Sequence, residues 1–164
     1  VREGHVVFLD AGTTTMEIAR VLPDTGYVAV TNMPTVATQL SERDIDVKLT
    51  GGTLRARSRA LVGPTASAFL DRANFDLLFL GTNGIHADAG LSTPNEEEAA
   101  VKTQMVERAS RVVLVADSSK FDERSFVSFA DLADVDALVT DAEPPAALAA
   151  ALADADVLVE SVSQ

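Results

Sequence analysis

The sequence lacks cysteine altogether and contains only two histidines, His5 and His86, which lie far apart along the chain. The first absence excludes a disulfide framework, a thiolate nucleophile and a cysteine-based zinc site. Two isolated imidazoles are also too few for a histidine-rich metal site. We therefore predict that the protein has no resident metal, and we expect no cofactor either.

Positive charge is scarce as well. Thirteen Lys and Arg residues stand against 25 Asp and Glu residues, which gives a formal net charge of -12, and only three of the cations are lysines. DNA-binding proteins gain most of their affinity by neutralising phosphates, so this chain is not expected to bind DNA unaided. Its acidity is typical of ordinary solubility and also of adaptation to salt.

The sequence contains no apolar run of the roughly 20 residues that a membrane helix requires, and its start lacks the basic and apolar regions of a signal peptide. These features predict a soluble, cytoplasmic protein. The 164 residues, 47% of them hydrophobic, suit one globular domain over residues 1–164. Because the first residue is Val rather than Met, we expect this domain to be a fragment of a longer protein.

Short apolar runs rich in Val, Leu and Phe alternate with segments of helical spacing, a pattern that predicts a mainly parallel sheet flanked by helices. Ala-rich residues 144–155 are interpreted as a helix that follows two prolines. Ligands bind beyond the carboxyl ends of strands in such sheets, so the loops after the strands are the candidate sites. The predicted strands span residues 5–9, 27–30, 47–49, 77–80, 112–115, 137–139 and 157–159.

The first loop contains Asp10, Gly12, Thr13 and Thr14, directly between a predicted strand and a predicted helix. Backbone amides and Thr hydroxyls at such a helix start can converge on a phosphate or carboxylate. Thr14 and Glu17 have the spacing of a capping box. A simple turn with a helix cap is the alternative interpretation of the same residues.

Three further loops offer small or polar residues, but each pattern is weak by itself. Thr31 and Asn32 follow the second strand and suit either sugar hydroxyls or a helix cap. Gly51 and Gly52 permit close approach of a ligand or a turn with positive φ. Small residues at positions 81–84 again leave room for a ligand.

Arg55, Arg57 and Arg59 form the only basic cluster of this acidic chain. Arginines in this arrangement suit phosphate recognition or pairing with carboxylates of a neighbouring subunit. We expect two of the three to lie in a solvated loop.

The second half of the chain adds candidate charged residues. Thr93 and Glu96 have capping-box spacing, with Pro94 expected in the first helical position. On that helix Glu98 and Lys102 lie four residues apart, either as an exposed pair or sheltered near strand ends. Asp117 and Lys120 follow a predicted buried strand, where they suit a ligand or a plain surface loop.

Taken together and in this order, the motifs closely resemble one family. Asp10-Ala-Gly-Thr-Thr, Thr31-Asn32, Gly51-Gly52-Thr-Leu-Arg55, Glu98-Ala-Ala-Val-Lys102 and Asp117-Ser-Ser-Lys120-Phe121 resemble the C-terminal effector-sensing domain of DeoR-type transcriptional regulators of sugar metabolism. The resemblance runs from about Val6 to Asp141. It implies a fold similar to ribose-5-phosphate isomerase A, of the NagB/RpiA/CoA-transferase-like class.

The resemblance also implies a site for a phosphorylated sugar or a related phosphometabolite. It further implies a homo-oligomer, either a dimer or a tetramer, whose contact with operator DNA runs only through an N-terminal helix-turn-helix domain that this sequence lacks. The intact protein is expected to be a repressor with no catalytic residues and no membrane partner. The implied ligand-binding residues are Asp10, Gly12, Thr13, Thr14, Thr31, Asn32, Gly51, Gly52, Gly81, Asn83, Gly84, Glu98, Lys102, Asp117 and Lys120.

Two other functions remain open at this point. A sugar-phosphate isomerase of the same fold would need a positioned base with electrophilic helpers. Glu98 is a possible base, but the loop that carries acidic residues in the isomerases here contains Gly81, Thr82, Asn83 and Gly84. We therefore favour binding without turnover. The third possibility is a subunit-assembly module with an empty vestigial pocket.

Overall fold

The computed structural model describes residues 1–162, and β-strands alternate with helices along most of this length. Two short 3-10 turns, Ser118–Lys120 and Leu132–Asp134, interrupt the alternation. In chain order the remaining elements are β1 (His5–Leu9), α1 (Thr13–Val21), β2 (Tyr27–Thr31), α2 (Pro34–Ser41), β3 (Val47–Leu49), β4 (Thr53–Leu54), β5 (Leu61–Val62), α3 (Pro64–Leu70), β6 (Leu77–Leu80), β7 (Gly84–His86), β8 (Gly90–Thr93), α4 (Glu96–Arg108), β9 (Val112–Val115), β10 (Val127–Ala130), β11 (Ala137–Thr140), α5 (Ala146–Asp154) and β12 (Leu158–Ser161).

Seven strands form a parallel sheet in the order β12-β11-β9-β6-β1-β2-β3. Each neighbouring pair is parallel, and in the register of the central strands Phe8 lies opposite Val30 on one side and Leu78 on the other. The predicted mainly parallel sheet flanked by helices is therefore confirmed. All seven predicted strands occur, although β12 begins one residue later than expected.

The strands read as continuous apolar runs because helices pack on both faces of the sheet. The smaller cluster lies under α1 and α2 and includes Leu9, Val36 and Leu40, which are almost fully buried. The larger cluster lies on the other face, under α3, α4 and α5, and includes Leu114 and Leu148. Within residues 1–162, no helix is long and apolar enough to cross a membrane.

Two small antiparallel sheets lie outside the parallel sheet, and the sequence pattern did not predict them. β4 and β5 form a hairpin of two-residue strands. β7, β8 and β10 form a three-stranded sheet in the order β10-β8-β7. Strands this short carry too few residues to show alternation, and the β8–β10 pairing joins residues that are far apart in the chain.

The sheet order places a crevice above β1. From β1 the chain proceeds outward through β2 to β3, whereas β6, on the other side of β1, begins the second half of the sheet. Ligands of open α/β sheets bind at such a point, beyond the carboxyl ends of the strands. The loops after β1, β6 and β9 all end at this edge.

Candidate functional site

A cleft of about 430 Å³ opens at the carboxyl ends of β1, β6 and β9. Its walls come from five segments: the start of α1, the tip of the β4–β5 hairpin, the loop after β6, the start of α4, and the loop after β9. Nine of the predicted ligand-binding residues line it, namely Gly12, Thr13, Thr14, Gly81, Asn83, Glu98, Lys102, Asp117 and Lys120.

The start of α1 forms one wall, and it differs from the prediction. Gly12 is the N-cap and has extended backbone geometry with φ of 167°, so the helix begins without a capping side chain. The capping box predicted for Thr14 and Glu17 is wrong, because the Glu17 carboxylate pairs with Arg20 at 2.6 Å instead. The buried Thr15 hydroxyl donates a hydrogen bond to the backbone carbonyl of Asp10 at 2.5 Å, which holds this turn in place. The exposed N-terminus of α1 therefore presents its positive dipole end to the cleft.

Asp10 and Lys102 form a buried ion pair at the base of the cleft. Asp10 is 0% exposed and Lys102 is 7% exposed. The Asp10 carboxylate also accepts hydrogen bonds from the backbone N–H groups of Ala11 at 2.8 Å and Gly81 at 3.0 Å. The Lys102 ammonium donates to the Gly81 carbonyl at 3.0 Å and lies 5.5 Å from the centre of the Phe129 ring. The pair thus neutralises itself and ties α4 to the loops after β1 and β6.

Glu98 lies one turn before Lys102 on α4, but the structure pairs it with a different cation. Its carboxylate Oε2 is 3.8 Å from Nε of Arg55, and the Glu98 side chain is only 12% exposed. Of the two alternatives left open by the sequence, the sheltered position near the strand ends is the one found. Glu98 is therefore available at the cleft wall as an acceptor for a ligand hydroxyl.

The start of α4 also differs from the prediction. The N-cap is Asn95, whose side-chain oxygen accepts the Glu98 N–H at 3.0 Å, and not Thr93. Thr93 is the last residue of β8, and its hydroxyl donates to the Asn83 side-chain oxygen at 3.0 Å. The capping box of Thr93 and Glu96 is wrong because the helix begins two residues later than its spacing suggested.

Asp117 and Lys120 close the far side of the cleft in the loop after β9. The hydrogen bond from the Ser119 hydroxyl lowers the pKa of Asp117, and the nearby Lys120 ammonium lowers it further. The backbone N–H of Ser119 also donates to this carboxylate at 2.9 Å. Asp117 thus stays ionised to a lower pH than an ordinary aspartate, while half-buried Lys120 directs a cation at the cleft.

Thr31 and Asn32 do not line the cleft wall. Both are buried, and the Thr31 hydroxyl donates to the Leu9 carbonyl at 2.7 Å and accepts the Met33 N–H at 3.1 Å. The Asn32 carbonyl accepts the Leu61 N–H at 2.7 Å and so anchors the hairpin. These contacts support the cleft from below, and direct ligand contact of the two side chains stays a prediction.

Gly51, Gly52 and Gly84 also lie outside the cleft lining. Gly51 and Gly52 form the turn between β3 and β4 with φ of 71° and 114°. A Cβ on Gly52 would lie 2.5 Å from the Val62 carbonyl oxygen, and one on Gly84 would lie 2.3 Å from the Glu123 carbonyl oxygen. At Gly52 and Gly84, close packing of one backbone segment against another explains the glycine without a ligand.

The hairpin tip supplies cleft residues that were not among the predicted ligand contacts. Arg55, Arg57 and Ser58 line the cleft, whereas Arg59 faces a second groove beside α1 and α2. The signal in the sequence was the alternation of three arginines in an acidic chain. That pattern alone did not show which side of the turn would face the site.

Comparison with known proteins places the chain in a family. A model of the family described as DeoR C terminal sensor domain matches residues 1–142. The chain belongs to this family. The resemblance noted in the sequence is thus confirmed for this sensor domain.

Curated relatives of the sensor domain carry the names of transcriptional regulators. The HTH-type transcriptional regulator GlpR of Haloferax volcanii is 61% identical over 140 residues, which cover 85% of this chain and 55% of that protein. The putative aga operon transcriptional repressor of Escherichia coli O157:H7 is 40% identical over 89% of this chain and 55% of that protein. The glycerol-3-phosphate regulon repressor of Escherichia coli K12 is 32% identical over 98% of this chain and 64% of that protein. The sensor domain therefore spans between half and two thirds of the length of these relatives.

Solved structures confirm the fold predicted for the sensor domain. Ribose 5-phosphate isomerase A of Methanocaldococcus jannaschii superposes with a TM-score of 0.51 at 16% identity and covers 73% of this chain and 48% of that one. A chain of the tetrameric eIF2B-beta2-delta2 complex of C. thermophilum gives a TM-score of 0.52 at 14% identity over 94% of this chain and 56% of that one. At these identities the likeness shows a shared fold alone.

Proposed function

We propose that this chain is the effector-sensing part of a transcriptional regulator, and that the cleft binds a phosphorylated sugar or a related phosphometabolite. Effector binding would change the affinity of a DNA-binding segment of the longer protein for its operator. The names of the relatives support regulation, and one of them names a glycerol-3-phosphate regulon. We further propose that the protein acts as a homo-oligomer.

The charge at the cleft is the observation that carries this proposal. Arg55, Arg57, Lys102 and Lys120 stand against the carboxylates of Asp10, Glu98 and Asp117, so the cleft is locally positive in a molecule with a net charge of -12. At physiological ionic strength, charges beyond about 8 Å are largely screened, so these local groups decide whether an anion binds.

The walls of the cleft suit different parts of such an effector. The uncapped N-terminus of α1, with the exposed hydroxyls of Thr13 and Thr14, suits the phosphate. Lys120 and Arg57 lie in the same lining and supply positive charge. The Glu98 carboxylate and the Asn83 and Asn95 side chains suit the hydroxyls of a sugar or polyol.

The same geometry disfavours the isomerase alternative. Proton transfer between two carbons of a sugar phosphate needs a base and an electrophilic group that stabilises the enediolate. Glu98 could serve as the base, but the Lys102 ammonium is already held by Asp10 and the Gly81 carbonyl. Binding without turnover therefore fits the cleft better.

Regulation requires that the effector bind one conformation better than the other, since equal affinity for both shifts no equilibrium. Coupling free energies between two sites are typically ~1–3 kcal/mol. Five separate segments meet at the cleft, so a ligand that joins them would favour one arrangement of these segments. The regulated property would then be DNA affinity of the longer protein.

A thermal-shift panel tests the proposal. Each sugar phosphate or polyol phosphate, glycerol 3-phosphate included, is paired with its unphosphorylated form and with inorganic phosphate. A ligand at 100 times its Kd stabilises the folded chain by about 2.7 kcal/mol, which predicts a rise in Tm of roughly 5–10 °C. A rise confined to one or two phosphorylated compounds, without their turnover, supports a sensor. No rise with any compound would favour the vestigial assembly module, and turnover would favour the isomerase.

Lys120→Ala provides the matched variant for this panel. Lys120 is half-buried in a short turn with no fully buried residue and so contributes little to the core, and the variant should keep the Tm of the parent without ligand. It should lose most of the ligand-induced rise in Tm, because the cleft then lacks the Lys120 ammonium. An unchanged rise would remove Lys120 from the proposed site.

A further inference from the structure

The Arg55 side chain has a polar atom that lacks a partner in the described part of the chain. Its Nε is buried and has no hydrogen-bond partner among residues 1–162. The Glu98 carboxylate oxygen at 3.8 Å lies beyond hydrogen-bond distance. A buried donor without an acceptor is costly, and such groups are rare enough in folded proteins to require an explanation. Because the Arg55 side chain lines the cleft, an anionic oxygen of a ligand bound there is an acceptor within its reach.

The segment that carries Arg55 is attached differently from the other cleft walls. Residues 55–60 form the tip of a hairpin whose two strands lie outside the parallel sheet, and the Leu61 N–H at its base donates to the Asn32 carbonyl at 2.7 Å. Its backbone bonds run from Arg55 N–H to the Ala60 carbonyl at 2.9 Å and from Arg59 N–H to the Arg55 carbonyl at 2.8 Å. Glu98, in contrast, lies on the thirteen-residue helix α4, and its backbone N–H donates to the side chain of the N-cap residue Asn95. When Arg55 changes its partner, moving the hairpin tip should therefore cost less free energy than moving α4.

From these observations we infer that Arg55 binds the anionic group of the effector and that Glu98 holds Arg55 only while the effector is absent. Effector binding exchanges the partner of the Arg55 guanidinium from Glu98 to the effector and draws the hairpin tip toward the cleft. This inference rests on the function proposed above. It adds the residue that changes partner and the segment that responds.

The chemistry of the two partners favours the exchange. A guanidinium offers a planar fork of donors that matches two oxygens of a phosphate, and such charge-assisted pairs are stronger than a single long contact. The released Glu98 carboxylate then faces the cleft, where it can accept a hydroxyl of the same effector. One event thus satisfies the buried Nε and frees an acceptor for the sugar or polyol part.

The hairpin also connects the cleft to the second groove, so the exchange of partners affects both. Arg55 and Arg57 line the effector cleft, whereas Leu54 and Arg59 line the second groove, together with Met16 and Arg20 of α1. A shift of the tip toward the cleft therefore changes the wall of the second groove as well. The hairpin and α1 are the two elements that contribute side chains to both.

Isothermal titration of the parent chain and three variants with glycerol 3-phosphate and with inorganic phosphate tests the inference. Arg55→Gln should weaken both ligands by roughly 10- to 100-fold, since a charge-assisted contact is lost. Arg59→Gln is the matched control, because it removes the same charge from the same hairpin on the side of the other groove. It should leave both affinities within about twofold of the parent.

Glu98→Gln provides a test of opposite sign. Removing the competing carboxylate should raise the affinity for inorganic phosphate by up to about fivefold, which corresponds to the free energy of a partly exposed ion pair. The advantage of glycerol 3-phosphate over inorganic phosphate should shrink, because the acceptor for its hydroxyls is weaker. Hydrogen exchange at the Arg59 and Leu61 amides should slow on phosphate addition in the parent and not in Arg55→Gln.

The outcomes separate the two proposals. If the parent binds neither ligand nor any phosphorylated compound of the thermal-shift panel, the proposed function and this inference both fail. If the parent binds and Arg55→Gln binds equally well, or Arg55→Gln and Arg59→Gln weaken binding equally, the partner exchange alone is refuted. Weaker inorganic phosphate binding by Glu98→Gln would also refute it, because Glu98 would then not compete for Arg55. Thermal unfolding of each variant checks that the fold is retained.

Discussion

Glycine has two different roles around the cleft, and the local backbone separates them. Gly12 has an extended conformation that any residue can adopt, and a Cβ there would lie 3.5 Å from the Thr15 hydroxyl oxygen, an ordinary contact. Gly84 leaves no such space, since its Cβ would lie 2.3 Å from the Glu123 carbonyl oxygen. The fold therefore requires glycine at position 84 but not at position 12.

This difference predicts opposite effects of the same substitution. Gly12→Ala should fold with the Tm of the parent and lose phosphometabolite affinity, because the added methyl group limits approach to the α1 amides. Gly84→Ala should lower the stability by about 1–3 kcal/mol, the usual cost of overpacking. Thermal unfolding with and without ligand measures both effects. A Gly12→Ala variant that binds like the parent would show that the first loop is only a turn, and an unstable one would show that the fold does require glycine there.

At the scale of elements, the buried pair of Asp10 and Lys102 connects three segments that are distant in sequence. It joins the end of β1, the loop after β6 and the middle of α4. The sequence predicted both residues as ligand contacts, but the structure gives them partners within the protein. Ligand contact by either residue remains a prediction, whereas their role in holding the cleft together follows from these bonds.

The pair predicts a strongly non-additive pattern of stability. Lys102→Met alone leaves a buried carboxylate without its counterion and should cost about 3–5 kcal/mol. Combining it with Asp10→Asn removes both charges, so the double variant should lose less stability than the sum of the two single variants. Urea unfolding measures the three free energies. Strict additivity would mean that the two side chains do not stabilise each other.

At the scale of the whole molecule, the net charge of -12 is the dominant electrostatic feature. Five ion pairs within residues 1–162 involve four different arginines and one lysine, so most carboxylates have no cation beside them. Self-repulsion of this kind destabilises the compact state, and dissolved salt screens it.

Stability is therefore expected to rise with salt. Between low and moderate sodium chloride concentrations, Tm should increase by about 2–4 °C for each kcal/mol of repulsion that is screened. A titration with a neutral osmolyte at matched osmolality serves as the control. A Tm that falls or stays constant with salt would mean that the exposed ion pairs outweigh the repulsion.

Sedimentation in the same buffers would test the predicted homo-oligomer.

The residue pattern was enough to predict the parallel sheet, because buried strands with Val, Leu and Phe on both faces leave a continuous apolar run. It also indicated the cleft, since loops after parallel strands meet at one edge. The partners of the charges came from tertiary structure alone. Nothing in the spacing shows that Lys102 reaches Asp10 across 92 residues rather than Glu98 one turn away, or that Arg55 faces Glu98. Such pairs depend on how separate elements pack, and local patterns contain no information about that packing.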